Sequence, residues 1–246
     1  MAEIHLGNYN EMLRYERDMD LLRALALWIT TFDGARPIPS LPNPREYVFG
    51  LIKMYSEKFA VDIKDEGRIL PETISLFHSA LVTICLILGI SGEDILLAGE
   101  KQRYVNSGFW EMRRVIGQFR DMAEEVIKND VSLIITAGIS GCVIGEYLGL
   151  FIRDLGRTIP VEHMIFSRKG IDPDKGYLRE NFSMAGGRVL IVDDAVMEAV
   201  TLAVMVEEIR ALYPSAELSL LAVDISPEVM SSGYLSQFSH LYLFEE

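Results

Sequence analysis

Up to about residue 129, apolar residues recur at three- and four-residue intervals with charges between them, the spacing of amphipathic helices. Met12, Leu13, Tyr15, Met19, Leu22, Leu25, Ala26 and Ile29 form one such stripe, predicting a helix from Asn10 to Thr31. Pro37, Pro39, Pro42 and Pro44 then impose an extended connector. Further helices are predicted over 45–61 and, after the polar run Asp62–Arg68, over 71–89, where Pro71 opens the helix and Gly89 closes it. A short helix follows Ser91. The stripe Trp110, Val115, Phe119, Met122, Ala123, Val126 and Ile127 predicts a long one from Phe109 to Asn129.

After residue 130 the pattern changes, and short continuous apolar runs alternate with helical spacing. Strands are expected over 131–136, 160–167, 188–193, 217–223 and 239–244, with helices from Gly141 to about Leu155 and from just after Asp194 to about Leu212. Uninterrupted apolar strands suit burial on both faces of a parallel sheet, and the alternation implies helices covering both sides. The expected organisation is an all-helical region over residues 1–105 followed by an α/β domain over 106–246.

The sequence has 246 residues, of which 50% are hydrophobic, ample for a sizeable core. Its formal net charge of −13 argues against a nucleic-acid partner or an acidic membrane surface, since phosphate contacts draw on a surplus of Lys and Arg. The most apolar window, Ile74–Ile90, is interrupted by Ser75, His78, Ser79 and Thr83 and reads as a buried helix rather than a membrane span. Cys85 and Cys142 belong to no CxxC or Cys/His cluster, so no zinc site or disulfide framework is expected and a reducing cytoplasm is the default.

Chemistry concentrates in three segments. In Val189-Leu-Ile-Val-Asp193-Asp194, four apolar residues run into two adjacent carboxylates. This places the acidic pair at the carboxyl end of a strand beside a helix, the crevice where ligands bind in open α/β sheets. Thr136-Ala137-Gly138-Ile139-Ser140-Gly141-Cys142 joins the first strand to its helix, and its two glycines free the backbone to present N–H groups to an oxyanion. Phe166-Ser167-Arg168-Lys169 sets two cations at a strand end, ahead of a polar stretch from Ile171 to Met184 that reads as a long loop. Cys142 stands at a predicted helix N-terminus without an evident paired histidine and reads as a small packed residue, and His163 reads as a core residue.

The strand, acidic pair and following loop resemble the signature by which type I phosphoribosyltransferases bind phosphoribosyl pyrophosphate. That signature is four hydrophobics, two acidics, two small or apolar residues, then Thr-Thr-Gly-Gly-Thr or close variants. The turn at 136–142 and the cationic strand end resemble two further segments of the same family, in the same order. The resemblance implies a phosphoribosyltransferase-like α/β fold, a phosphoribosyl or nucleotide-type small-molecule ligand, Mg2+ and a homodimer. It further implies that Asp193 and Asp194 hold the ribose hydroxyls and the metal, with Lys169 as a catalytic cation. Ala137, Gly138, Ser140, Gly141 and Arg168 would hold pyrophosphate, and Ala195, Glu198, Ala199 and Thr201 would approach the 5′-phosphate.

The loop departs from the family pattern where it matters physically. It reads Met197-Glu198-Ala199-Val200-Thr201, retaining only the final threonine. A phosphate cradle needs close backbone approach and inward donors, whereas Glu198 brings a carboxylate and Ala199 a methyl group. Like charges about 4 Å apart repel by roughly 4 kcal/mol at an effective dielectric near 20. Two expectations therefore stand side by side: transfer of ribose 5-phosphate to a base, and a binding or regulatory module that has kept the fold and lost that chemistry. A receiver-domain reading of the acidic pair fails because too few residues follow Asp194, and a dinucleotide-binding reading fails for want of G-x-G-x-x-G.

Overall fold

The computed structural model describes residues 22, 25, 26, 44–87, 115–168, 173–179 and 187–244, with Pro44 and Arg168 described through their backbone only. The expected connector at 34–43, the short helix after Ser91, the boundary near residue 105, Lys169 and the start of the 109–129 helix lie outside these residues. So does most of the 10–31 helix, of which Leu22, Leu25 and Ala26 are helical and buried.

Two long helices come first, α1 over Pro44–Glu66 and α2 over Pro71–Ile87. α1 runs through the polar stretch that was expected to end it. Lys58 pairs with the buried Asp62 one turn on (2.7 Å), and Asp62 also accepts from the Leu70 amide (3.1 Å), so this carboxylate is fully used inside the helix end. Gly67, at φ +68, then closes the helix. α2 is buried on one face rather than throughout. Ile74, Phe77, Leu81 and Cys85 point inward, while Leu76 and Leu86 are 64% and 74% exposed. Among the described residues no helix is long and apolar enough to cross a membrane.

The predicted long helix ending near residue 129 is resolved into a 3-10 turn, Ile116–Gln118, and helix α3, Phe119–Lys128. The turn contains Gly117, which is a weak helix former. Thereafter come β1 (Val131–Ala137), α4 (Cys142–Asp154), β2 (Val161–Arg168), β3 (Pro173–Tyr177), β4 (Arg188–Val196), α5 (Val200–Leu212), β5 (Glu217–Ile225), α6 (Pro227–Ser231), a 3-10 turn (Tyr234–Gln237) and β6 (His240–Leu243) among the described residues.

The strands form one six-stranded sheet in the order β3-β2-β1-β4-β5-β6. All neighbours are parallel except β3, which runs antiparallel to β2. The expected parallel sheet, with 189–193 in a central strand, is therefore present. β3 corrects the reading of Ile171–Met184 as a loop throughout. Its polar sequence hides a strand that pairs Tyr177 with Ile165 and Gly176 with Phe166 at the sheet edge.

Alternate residues of the central strands feed two cores. Ile134, Leu190 and Val192 meet α4, and through it α1, α2 and α3, whereas Leu133, Ile135, Val189 and Ile191 meet α5. Val189 to Val192 are all fully buried, which explains why their sequence shows no polar alternation. The first core runs without interruption from α1 and α2 into the sheet, and Tyr55, Phe59 and Phe77 form an aromatic knot within it at centroid distances of 4.6 to 6.0 Å.

Candidate ligand site at the strand ends

The carboxyl ends of β1, β4 and β5 lie side by side, and the turn after β1, the acidic pair and the loop after β4 stand there, whereas Arg168 ends β2 and Lys169 lies outside the described residues. Asp193 and Asp194 lie near the end of β4, both almost fully buried. Ser140, in the turn after β1, donates to Asp193 Oδ1 at 3.3 Å, and the Asp194 amide donates to the same oxygen at 2.9 Å. The turn and the acidic pair, 53 residues apart, are thus in direct contact. Burial and the adjacent Asp194 carboxylate push the Asp193 carboxyl well above the usual range, the hydrogen bonds from the Asp194 amide and Ser140 opposing this only in part.

The turn itself is tight. Gly138 adopts φ +36, and Gly141 packs so closely on β4 that an added Cβ would lie 2.6 Å from the Val192 carbonyl oxygen. Its glycine amides are not presented to a ligand as expected. The Gly138 N–H donates to Met164 O (2.7 Å) and the Gly141 N–H to Ala137 O (3.0 Å). These bonds pin the turn to the ends of β1 and β2 and use both glycine amides within the fold. Ala137 is buried in β1.

β4 continues through Ala195 and Val196, whose partners on β5 are Asp224 and Ile225, so the helix expected directly after Asp194 begins only at Val200. Sheet pairing overrides the helical spacing of these residues. The intervening Met197, Glu198 and Ala199 form three bends, and Ala199 takes the left-handed conformation at φ 57 as the residue before α5. Thr201 lies in the first turn of α5. Ser226 braces this loop from the end of β5. Its hydroxyl donates to Met197 O at 2.7 Å, its amide donates to Val196 O at 3.0 Å, and its Oγ caps α6 by accepting from Val229.

Beside the braced loop lies an open cavity of about 790 Å3, lined chiefly by Glu198, Ala199, Ser226, Glu228, Ser232 and Tyr234. Glu198 therefore borders this cavity together with a second carboxylate. Among the described residues no cluster of three or more metal-binding side chains occurs. Asp193 and Asp194 are hard oxygen donors of the kind Mg2+ accepts, but that ion usually completes its shell with water and ligand oxygens. The chain's own residues fit such a metal only as partners to a bound ligand.

The sequence reading passed over a second polar group beneath the turn. Thr136, Cys142, Glu146 and His163 are all buried, and Lys53 reaches them from α1. Cys142 does have a histidine beside it, His163, which corrects its reading as an isolated packed thiol. No local signal marks this group, because its members come from β1, α4, β2 and α1 and meet only when the sheet is assembled.

No protein-family model and no curated protein matches the chain. Solved phosphoribosyltransferases resemble it in fold. The purine phosphoribosyltransferase of Pyrococcus horikoshii is 22% identical over 56% of this chain and 86% of its own, with a TM-score of 0.35. The orotate phosphoribosyltransferase of Aeropyrum pernix is 19% identical over 54% of this chain and 74% of its own, with a TM-score of 0.35. The adenine phosphoribosyltransferase of Leishmania donovani is 15% identical over 52% of this chain and 63% of its own, with a TM-score of 0.41. At these values the likeness concerns the type of fold and says nothing of ligand or activity.

Proposed function

We propose that the chain is a phosphoribosyltransferase-like binding module. It takes a ribose-bearing small molecule at the ends of β1, β4 and β5 and does not use phosphoribosyl pyrophosphate. The observation that carries this reading is Glu198. It stands in the loop that the resemblance assigns to the 5′-phosphate, and with Glu228 it borders an adjoining cavity whose lining includes neither Asp193 nor Asp194, so a 5′-phosphate held by that loop would meet a carboxylate. A dianion there loses affinity, while a neutral or cationic group gains it. Asp193 and Asp194 remain suited to ribose hydroxyls, because carboxylate oxygens accept from O–H donors.

The transferase reading keeps one observation in its favour. Ala199, at a position where the family pattern has glycine, holds the left-handed backbone that a glycine would take without strain. In that reading Mg2+, held by Asp193 and Asp194 together with ligand oxygens, would neutralise the charge of departing pyrophosphate, and Arg168 and Lys169 would assist. A homodimer belongs to the same proposal, checked by sedimentation.

Isothermal titration calorimetry separates the two readings. The expected outcome is no heat with micromolar phosphoribosyl pyrophosphate and Mg2+, and measurable binding of at least one member of a nucleoside panel lacking the 5′-phosphate. Changing Met197-Glu198-Ala199-Val200 to Thr-Thr-Gly-Gly should tighten phosphate-ligand binding at least about tenfold, since it removes a charge and restores donors. Phosphoribosyl transfer by the unaltered chain, lost on Asp194→Asn, would overturn the proposal.

A further inference from the structure

The cavity of about 790 Å3 beside the loop between β4 and α5 is far larger than an ion needs and falls in the size range of small-molecule sites. Its lining can be sorted by where each proton goes. Ser226 Oγ donates to the Met197 carbonyl at 2.7 Å and accepts from the Val229 amide at 3.2 Å. Ser232 repeats the arrangement, donating to the Val229 carbonyl at 2.8 Å and accepting from the Tyr234 amide at 3.1 Å. A carbonyl can only accept, so both hydroxyl protons are committed inside the fold, and each oxygen keeps a lone pair but no proton for a ligand. The Ser226 and Ser232 amides are spent in the same way, on Val196 O and Val229 O. Among the described residues of the lining, the Tyr234 hydroxyl is the side-chain donor that remains.

Charge points in the same direction. Glu198 and Glu228 both border the cavity, both are exposed, and among the described residues neither carboxylate is paired with a cation. The described lining contains no lysine, arginine or histidine. Arg210 of α5 is near enough to act on the Tyr234 hydroxyl but stays out of the lining. Apolar surface completes the wall. Met197 is 57% exposed, and the half-buried Tyr234 ring is braced by Phe238 at a centroid distance of 6.4 Å. An aromatic ring beside carboxylates favours a cation with carbon attached to it. A bare metal ion is less well served, because no cluster of three or more metal-binding side chains occurs among the described residues.

We propose that this cavity binds an organic cation, an alkylammonium or guanidinium group. Glu198 and Glu228 balance its charge, the Ser232 oxygen accepts one of its protons, and Tyr234 and Met197 cover its carbon skeleton. The site shares Glu198 with the reading given above but does not depend on ribose binding. Its lining includes neither Asp193 nor Asp194, and nucleoside binding is read separately by calorimetry, so either reading can fail without the other.

The test is proton–nitrogen correlation NMR of the full chain, titrated at pH 7 with benzylammonium, benzyl alcohol and benzoate, three probes that share a ring and differ in charge. Benzylammonium should move the Glu198, Ala199, Ser232 and Gly233 amides along one saturable curve in the millimolar range. Benzyl alcohol should bind several-fold more weakly, and benzoate should not bind. Glu198→Gln and Glu228→Gln keep the size of the side chains, and each should weaken benzylammonium about two- to fivefold, the worth of an exposed ion pair, while leaving benzyl alcohol unchanged. Benzyl alcohol binding as tightly as benzylammonium, no response to either glutamine substitution, or no saturable shift at these amides would overturn the proposal. Mg2+ moving the same amides at a lower concentration than the amine would overturn it in favour of a metal site.

Discussion

At φ 57 the Ala199 methyl group crowds the following carbonyl oxygen, a conformation that costs an L-residue roughly 1–2 kcal/mol and a glycine little. Ala199→Gly should therefore raise stability in urea unfolding by up to about 1 kcal/mol, the relief being offset in part by the entropy of glycine in the unfolded chain. Asp193 gives a second test at this scale. Its folded-state carboxyl is held above its ordinary value, so its contribution is complete below about pH 4 and is lost as pH rises through the folded value. Asp193→Asn, which keeps the shape and removes the charge, should be more stable than the parent chain at pH 7. Circular-dichroism melts in parallel at pH 5 and 7 would show the gap widening with pH. The acidic pair was legible in the sequence because both carboxylates are contiguous with the strand that carries them. Its contact with Ser140 was not, the resemblance having only assigned the two segments to one ligand, and the burial that alters Asp193 chemically depends on the packed sheet.

The elements were legible where hydrophobic spacing decides them and illegible where pairing does. β1, β4 and β5 carry long apolar runs and stood out, as did β2 through Met164, Ile165 and Phe166 despite Glu162 and His163. β3 is polar, with two exposed residues in a pattern that a loop would share, and it becomes a strand only because β2 offers a free edge. The same competition moved the start of α5, where Ala195 and Val196 fit a helical stripe but bond to β5. Two glycines test how the elements pack. Gly141→Ala drives a methyl group against the Val192 carbonyl and should destabilise by about 1–3 kcal/mol, with ligand affinity at the strand ends falling as well. Gly50, within α1, has nothing within 4 Å of its would-be methyl, so Gly50→Ala should stabilise by about 0.5–1 kcal/mol. Denaturant midpoints of the two variants should move in opposite directions.

Across the whole molecule, the buried run beneath the turn links stability to pH. The His163 ring, raised to about 9, contributes stability that is complete below about pH 6.5 and is lost as pH climbs towards 9. Asp193, also raised, acts with the same sign, and urea midpoints should decline from neutral to pH 9, with a visibly flatter decline in His163→Asn. By itself the sequence determined the α/β class, the order of the parallel strands' appearance along the chain, the acidic pair at a strand end and the absence of a basic surplus. These follow from the local spacing of apolar residues and from composition, which need no partner to be read. The tertiary structure alone decided that Lys53, Thr136, Cys142, Glu146 and His163 share one buried run, that the turn's glycine amides are spent within the fold, and that Glu198 and Glu228 border one cavity. Each of these depends on which strands become neighbours, and that is a property of the packed sheet rather than of any one segment.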